Sequence, residues 1–246
     1  MTLSEPTRRS LRIEICRGNE CIAIGTGFVV KRGDKAFLIT NRHNATGLRP
    51  DNREPLSAGA RPDNFVISHQ KNPADGSLLE WQPCREPLYR GEAPLWIEHP
   101  TRGSSVDVIA LPLTVLDGVI LEEYDLSTDS PISIAPGEVV SIIGFPTGAS
   151  SVAKVPVWIT GFIASESDLD AEDMPTILVD CSAIEGCSGS PAIAMRRGSF
   201  TSVDGSVVQV ASALKLIGVY SGRSAAAGGM RRVWKIHLVR EMLDKP

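Results

Sequence analysis

The chain has no long apolar run, no surplus of positive charge and no cysteine cluster with metal-binding spacing, and each lack excludes something. No stretch approaches the ~18 apolar residues of a membrane-spanning helix. The first ten residues, Met1 to Ser10, lack the apolar core of a secretory signal. With the starting Met, this gives the expectation of a cytoplasmic protein without membrane contact. The net charge is −4 over 246 residues. No basic surplus exists to displace counterions from phosphates, so nucleic-acid binding is not expected. Five cysteines (Cys16, Cys21, Cys84, Cys181 and Cys187) make an odd count, which without a leader points to reduced thiols. Cys16 and Cys21 flank the turn-like Arg17-Gly18-Asn19-Glu20 and would face each other across a hairpin. A disulfide is open to them, but free thiols are the expected state. No CxxC pair or Cys/His cluster has zinc-site spacing, so neither metal nor organic cofactor is expected. No internal repeat is evident.

What is present is a string of short β-rich runs. Hydrophobic residues make up 42% and charged residues 22%, enough for a large folded core. The runs, divided by Gly, Pro, Asn and Asp, begin near Arg12, Cys21, Ala36, Asn64, Leu78, Leu95 and Val106. After an acid- and proline-rich break they resume near Val139, Val155, Thr176, Pro191, Val207 and Leu214. Regular short strands with turn signals predict an all-β sandwich or barrel. Val233 to Leu243 reads instead as a helix with a broad apolar face. The predicted organisation is an N-terminal tail (1–10), a first β unit (11–116), a linker (117–131), a second β unit (132–232) and a C-terminal helix (233–246).

Three residues in order carry the chemistry. His43 ends the apolar run Ala36-Phe37-Leu38-Ile39-Thr40-Asn41-Arg42, Asp107 opens Val108-Ile109-Ala110-Leu111, and Ser188 lies in Gly186-Cys187-Ser188-Gly189-Ser190-Pro191. A serine hydroxyl is a poor nucleophile until an imidazole takes its proton, and a buried carboxylate must hold that imidazole in the right tautomer. His43 and Asp107 fall in the first β unit and Ser188 in the second, so a site at the seam is the simplest arrangement. The serine motif also satisfies the G-x-S-x-G elbow of α/β-hydrolases. That elbow needs a following long helix, a later acid and histidine, and alternating strands and helices. Here Pro191 and a short apolar run broken at Arg196-Arg197-Gly198 follow the serine, the only later histidine, His237, falls in the terminal helix, and strand–helix alternation is absent.

Gly25-Thr26-Gly27-Phe28, Thr40-Asn41-Arg42-His43, Asp107-Val108-Ile109-Ala110 and Gly-x-Ser-Gly-Ser-Pro together resemble the trypsin/chymotrypsin-like serine protease superfamily. The likeness is nearest to the bacterial branch that holds the glutamyl endopeptidases and the cytosolic or periplasmic trypsin-like peptidases. It runs from about Arg12 through the C-terminal helix. The resemblance implies two packed six-stranded antiparallel β-barrels and a serine endopeptidase acting on a protein or peptide. His43 would be general base and then acid, Asp107 would orient it, and Ser188 would attack the carbonyl. The backbone N–H groups of Gly186 and Ser188 would form the oxyanion hole. Gly186 would let its amide turn, and Gly189 would keep a side chain away from the nucleophile.

The chain departs from that pattern at three positions. Cys187 stands where trypsin has an acid, so activation by N-terminal insertion is not expected. Cys187 is a poor candidate nucleophile, because Ser188 and not glycine follows it. Arg42 and Asn44 flank the histidine where smaller apolar residues are commoner. His69 and His99 lack comparable flanks and read as surface residues. Trp81, Tyr89 and Trp96 would either wall a cleft or belong to barrel strands.

For the substrate pocket the resemblance implies Ser182 at the base, Glu185 beside it, and Ser221-Gly222-Arg223 as a strand that pairs with extended peptide. A neutral Ser182 disfavours a basic side chain. Arg223 would favour an acidic one unless Glu185 neutralises it. Two other readings stay open: a catalytically silent module that binds a peptide or partner by strand addition, and an esterase on the same fold. An active protease inside a cell also needs restraint, by a regulatory partner protein or a poorly formed oxyanion loop.

Overall fold

A computed structural model describes residues 3–56, 61–71, 80–127, 130–147, 155–183, 185–224 and 228–244. The first unit begins with a short helix, α1 (Glu5–Arg9), where a tail was expected. Strands β1 (Ser10–Arg17), β2 (Glu20–Arg32), β3 (Lys35–Thr40), β4 (Asn64–Lys71), β5 (Glu80–Pro87) and β8 (Ile109–Pro112) then form one sheet in the order β5-β4-β1-β2-β3-β8. The small hairpin β6 (Tyr89–Arg90) and β7 (Ala93–Pro94) lies between β5 and β8 in sequence, and α2 (Arg42–Thr46) follows β3. Part of the expected linker, β9 (Val119–Ile120), joins this sheet by pairing with β4.

The second unit is a closed barrel of six strands: β10 (Val139–Gly144), β11 (Val157–Ile163), β12 (Thr176–Asp180), β15 (Arg231–Lys235), β14 (Val207–Arg223) and β13 (Pro191–Thr201). The first unit does not close in the same way. Its edge strands β5 and β8 are joined by a side chain: the buried carboxylate of Glu86 accepts from Thr114 N (2.6 Å), Val115 N (2.7 Å) and Thr114 Oγ1 (2.6 Å). Charge-assisted bonds of this kind satisfy an edge that strand pairing leaves open.

One boundary needs correction. Val233 and Trp234, expected in the terminal helix, belong to β15; the helix α3 spans His237–Leu243. Their alternation decides it. Val233 points into the second barrel and Trp234 into the seam between the units, a period of two that a helix cannot provide. Without β15 the barrel would stay open between β12 and β14.

The same alternation explains the continuous apolar runs. In β3, Leu38 faces the first interior while Phe37 and Ile39 face the seam; in β10, Val140 and Ile142 face the second interior while Ile143 faces the seam. Strands buried on both faces read as unbroken hydrophobic stretches. Leu238, Val239, Met242 and Leu243 of α3 cover the same seam. Each such fully buried aliphatic side chain contributes roughly 2 kcal/mol. The two units are therefore held together where the candidate site lies. No helix among the described residues is long and apolar enough to cross a membrane.

Candidate active site

Local sequence presents His43 to the seam. Strand β3 ends at Thr40 and α2 begins at once, with Asn41 as its N-cap in extended conformation. Asn41 does not use its side chain to cap the helix. Its amide instead donates to the carbonyl of Asp107 (2.8 Å), tying the helix start to the chain that carries the acid. Gly47 ends the helix in the left-handed region (φ 70°), and its N–H bonds back to His43 O. Tyr89 and Trp96 pack edge to face (5.1 Å), and Tyr89 donates to Ala45 O at 3.4 Å. These two aromatics thus support the histidine helix from behind. Trp96 Nε1 and Arg42 Nε both reach Glu98, which gives Arg42 its partner.

Asp107 is 3% exposed, and both of its carboxylate oxygens bond to His43. Its Oδ1 accepts from the backbone N–H of His43 (2.9 Å) and its Oδ2 pairs with His43 Nδ1 (2.7 Å). Oδ2 also accepts from Ser221 Oγ at 2.5 Å. Burial of a carboxylate is tolerated only when its lone pairs are satisfied. Here they are satisfied in a way that puts the proton on Nδ1 and leaves the Nε2 lone pair free to accept. His43 and Ser188 line one cavity of about 510 Å³ together with Asn44, Thr147, Glu185 and Gly186. Among the described residues no hydrogen bond joins the Ser188 hydroxyl to the imidazole, as is frequent in resting sites.

The nucleophile loop is fixed through its backbone. Thr26 N donates to Ser188 O (2.9 Å), Gly189 N to Tyr220 O (3.0 Å), and Thr147 N to Glu185 O (2.7 Å). Thr26 Oγ1 donates to Gly186 O (2.8 Å) and accepts from Phe145 N. The Glu185 carbonyl points at Thr147, and the described residues include no cis peptide, so the N–H of Gly186 points the opposite way. Among the described residues, neither Gly186 N nor Ser188 N donates to a protein acceptor. Gly186 and Gly189 have positive φ (89° and 86°), and a Cβ would lie 2.3 Å from Phe145 O in the first and 2.1 Å from Thr26 O in the second. No side chain fits at either position.

The expected substrate residues separate. Ser182 and Glu185 are exposed, and among the described residues neither Glu185 nor Arg223 makes an ion pair, so the two do not neutralise each other. Ser221 turns its hydroxyl to Asp107 instead of to a substrate. With Gly222 it sits where β14 loses register with β15, and β13 pairs no further along β14 than Val219. The backbone of 221–223 therefore has an uncovered edge. Behind it Tyr220 OH donates to Ala183 O (3.1 Å), and burial pushes its phenol up, so it stays a neutral donor.

Sequence reasoning missed Thr26, which touches three segments of the site, and the role of Asn44. Asn44 Nδ2 donates to Ser188 O (3.2 Å) and Thr40 Oγ1 (2.9 Å); a polar residue next to the histidine was the available signal. His69 and His99 are not surface residues. Both are buried: His69 lies on β4, and His99 Nε2 pairs with Glu241 Oε2 (2.7 Å). Cys187 is buried and lies outside the cavity lining.

The sequence profile of the trypsin-like peptidase domain matches residues 25–202. The chain belongs to the trypsin-like peptidase family. No curated protein sequence matches it significantly. Among solved structures it is similar to the serine endoprotease from Yersinia pestis, with a TM-score of 0.53 at 14% identity over 96% of this chain. It spans 61% of that protein. It is also similar to Deg5, with a TM-score of 0.51 at 15% identity over 95% of this chain and 86% of the other. At such identities the likeness carries the fold, a chymotrypsin-like arrangement of two β units. Neither comparison singles out the glutamyl endopeptidase branch.

Proposed function

We propose that this trypsin-like peptidase is an active serine endopeptidase with His43, Asp107 and Ser188 as its triad. The observation that carries the reading is the Asp107 carboxylate, buried and bonded to both His43 N and His43 Nδ1, with Nε2 left to serve the cavity that holds Ser188. Nε2 takes the proton of Ser188 as Oγ bonds to the scissile carbonyl carbon. The carbonyl oxygen gathers negative charge, which the amides of Gly186 and Ser188 stabilise; one such donor is worth roughly 10²–10³ in rate. His43 returns the proton to the leaving amine as the C–N bond breaks, and water then releases the acyl group by the same route. The free edge at 221–223 binds extended peptide by strand addition. With a neutral Ser182 and an unpaired Arg223, the favoured side chain in the primary pocket is uncharged or acidic.

A fluorophosphonate probe tests this. The wild-type chain should be labelled at Ser188, with labelling lost in Ser188→Ala and strongly slowed in His43→Ala. A folded wild-type chain that takes no label would instead favour a silent peptide-binding module. Cleavage of a peptide library, compared with simple esters, separates endopeptidase from esterase.

A further inference from the structure

Beside the catalytic cavity lies a cluster that the proposed reaction does not use. Cys16 of β1 is the register partner of Cys21 of β2, one step in from the closing pair Arg17–Glu20 of the hairpin. The Cys16 carbonyl accepts from Asp63 N (3.0 Å) and therefore faces away from β2. The pair is thus of the unbonded antiparallel kind, in which Cα atoms stand about 4.5 Å apart and side chains are closest. Glu14 lies two residues before Cys16 on the same face. One ligand atom from each of Glu14, Cys16 and Cys21 falls within 4.8 Å of the others, and among the described residues this is the one such group of three.

We propose that Glu14, Cys16 and Cys21 form a binding site for a divalent ion of the zinc class on the rim of the catalytic cavity. Two thiolates and one carboxylate are a donor set such an ion takes in tetrahedral geometry, with the fourth position left to water. Neighbouring groups complete the site. Arg12 donates to Glu14 Oε1, holding the carboxylate in place and leaving its other oxygen for the metal. Such outer-shell contacts set ligand orientation. Arg85, which donates to Gly18 O (2.7 Å) in the turn between the two cysteines, brings a positive charge to the same hairpin end. Both cysteines are free thiols. Cys21 lines the same cavity as His43 and Ser188, along with Ile15 and Ile22, so an ion here pins one rim of the cleft. Cys16 and Cys21 have a C-x₄-C half-site spacing but no second Cys or His pair accompanies them, which is why sequence reasoning expected no metal.

The test uses the full chain, reduced with a phosphine and stripped of metal, titrated with Zn²⁺ against a chromophoric chelator and with Co²⁺ by absorption. The expected result is one equivalent bound, sulfur-to-cobalt charge transfer in the Co²⁺ form, and a higher melting temperature with Zn²⁺. Cys21→Ser, at an exposed position that leaves the fold intact, should abolish the charge-transfer band and the thermal shift. Glu14→Gln should weaken Zn²⁺ binding by more than the ~10–100-fold that loss of an outer-shell partner costs. Absence of stoichiometric binding by the reduced wild type overturns the site, as does binding that Cys21→Ser or Glu14→Gln leaves unchanged. Neither readout depends on peptidase activity, so the result stands apart from the fate of the triad.

Discussion

The two β units contribute to the site in opposite ways. The first supplies side chains, each held by other side chains: Asp107 by Ser221, His43 by Asp107, and Asn44 between Thr40 and Ser188. The second supplies Ser188 on a loop held largely through its backbone: Ser188 O, Tyr220 O and Glu185 O each accept a main-chain N–H, and Thr26 Oγ1 and Asn44 Nδ2 of the first unit add bonds to Gly186 O and Ser188 O. This division follows the chemistry. Proton transfer needs groups of tuned basicity, which only side chains provide, whereas a developing oxyanion is best met by amides that need not reorganise. The first unit also tolerates an open edge, stitched by Glu86, while the unit that must fix a backbone loop is a closed barrel. Damage to the two units should therefore have different signatures.

The largest expected effect is chemical and falls in the first unit. Asp107→Asn keeps the shape but lets the amide donate where Nδ1–H must donate, favouring the wrong imidazole tautomer. Turnover of a peptide substrate should fall by about 10⁴-fold while the melting temperature moves little. The matching lesion in the second unit is Gly189→Ala. Its Cβ would meet Thr26 O and Thr40 Oγ1 at 2.1 and 2.2 Å with φ at 86°. A cost on the order of 3 kcal/mol or more is expected, read as a fall in denaturant midpoint together with lost activity. If Asp107→Asn destabilised as much as Gly189→Ala, the division between side-chain and backbone roles would fail.

How much of this was legible depends on which physical signal each part leaves. The apolar runs at Ala36–Thr40 and Val139–Phe145 announced strands, because burial on two faces demands unbroken hydrophobicity. Val233 and Trp234 misled: a five-residue strand leading straight into a helix shows an apolar density that fits either period. The flanks of His43, Asp107 and Ser188 were readable since turns, glycines and strand ends are local features. Thr26 was not, because its hydroxyl acts on Gly186 and Phe145, 160 and 119 residues away, and nothing local marks such a contact. His69 was misread for a related reason. Its neighbours Ser68 and Gln70 look like surface, yet β4 is covered on both faces.

His69 gives the next prediction. It is fully buried in the first unit, neither ring nitrogen has a hydrogen-bond partner among the described residues, and burial lowers its pKa from 6.5 to about 4. Below pH 6.5 the unfolded chain takes a proton that the folded chain refuses. The stabilisation is therefore complete above about pH 6.5 and is lost as pH falls through about 4. The gap corresponds to about 3 kcal/mol. Urea unfolding from pH 7 to pH 4.5 should show this loss, and His69→Phe, roughly matched in volume, should flatten the slope. An unchanged slope would mean that the first unit is wetter than described.

The smallest effect tests where the units meet. Ser221 belongs to the second unit by chain yet acts with the first, since its hydroxyl serves Asp107. Hydrogen bonds to a charged group are worth about 1.5–3 kcal/mol. Ser221→Ala should thus lower kcat roughly tenfold or somewhat more, with KM little changed, because the backbone edge that pairs with peptide is untouched. If KM rises and kcat holds, Ser221 contributes as a substrate contact, and the sharp line between catalytic side chains and binding backbone has to be redrawn at this residue.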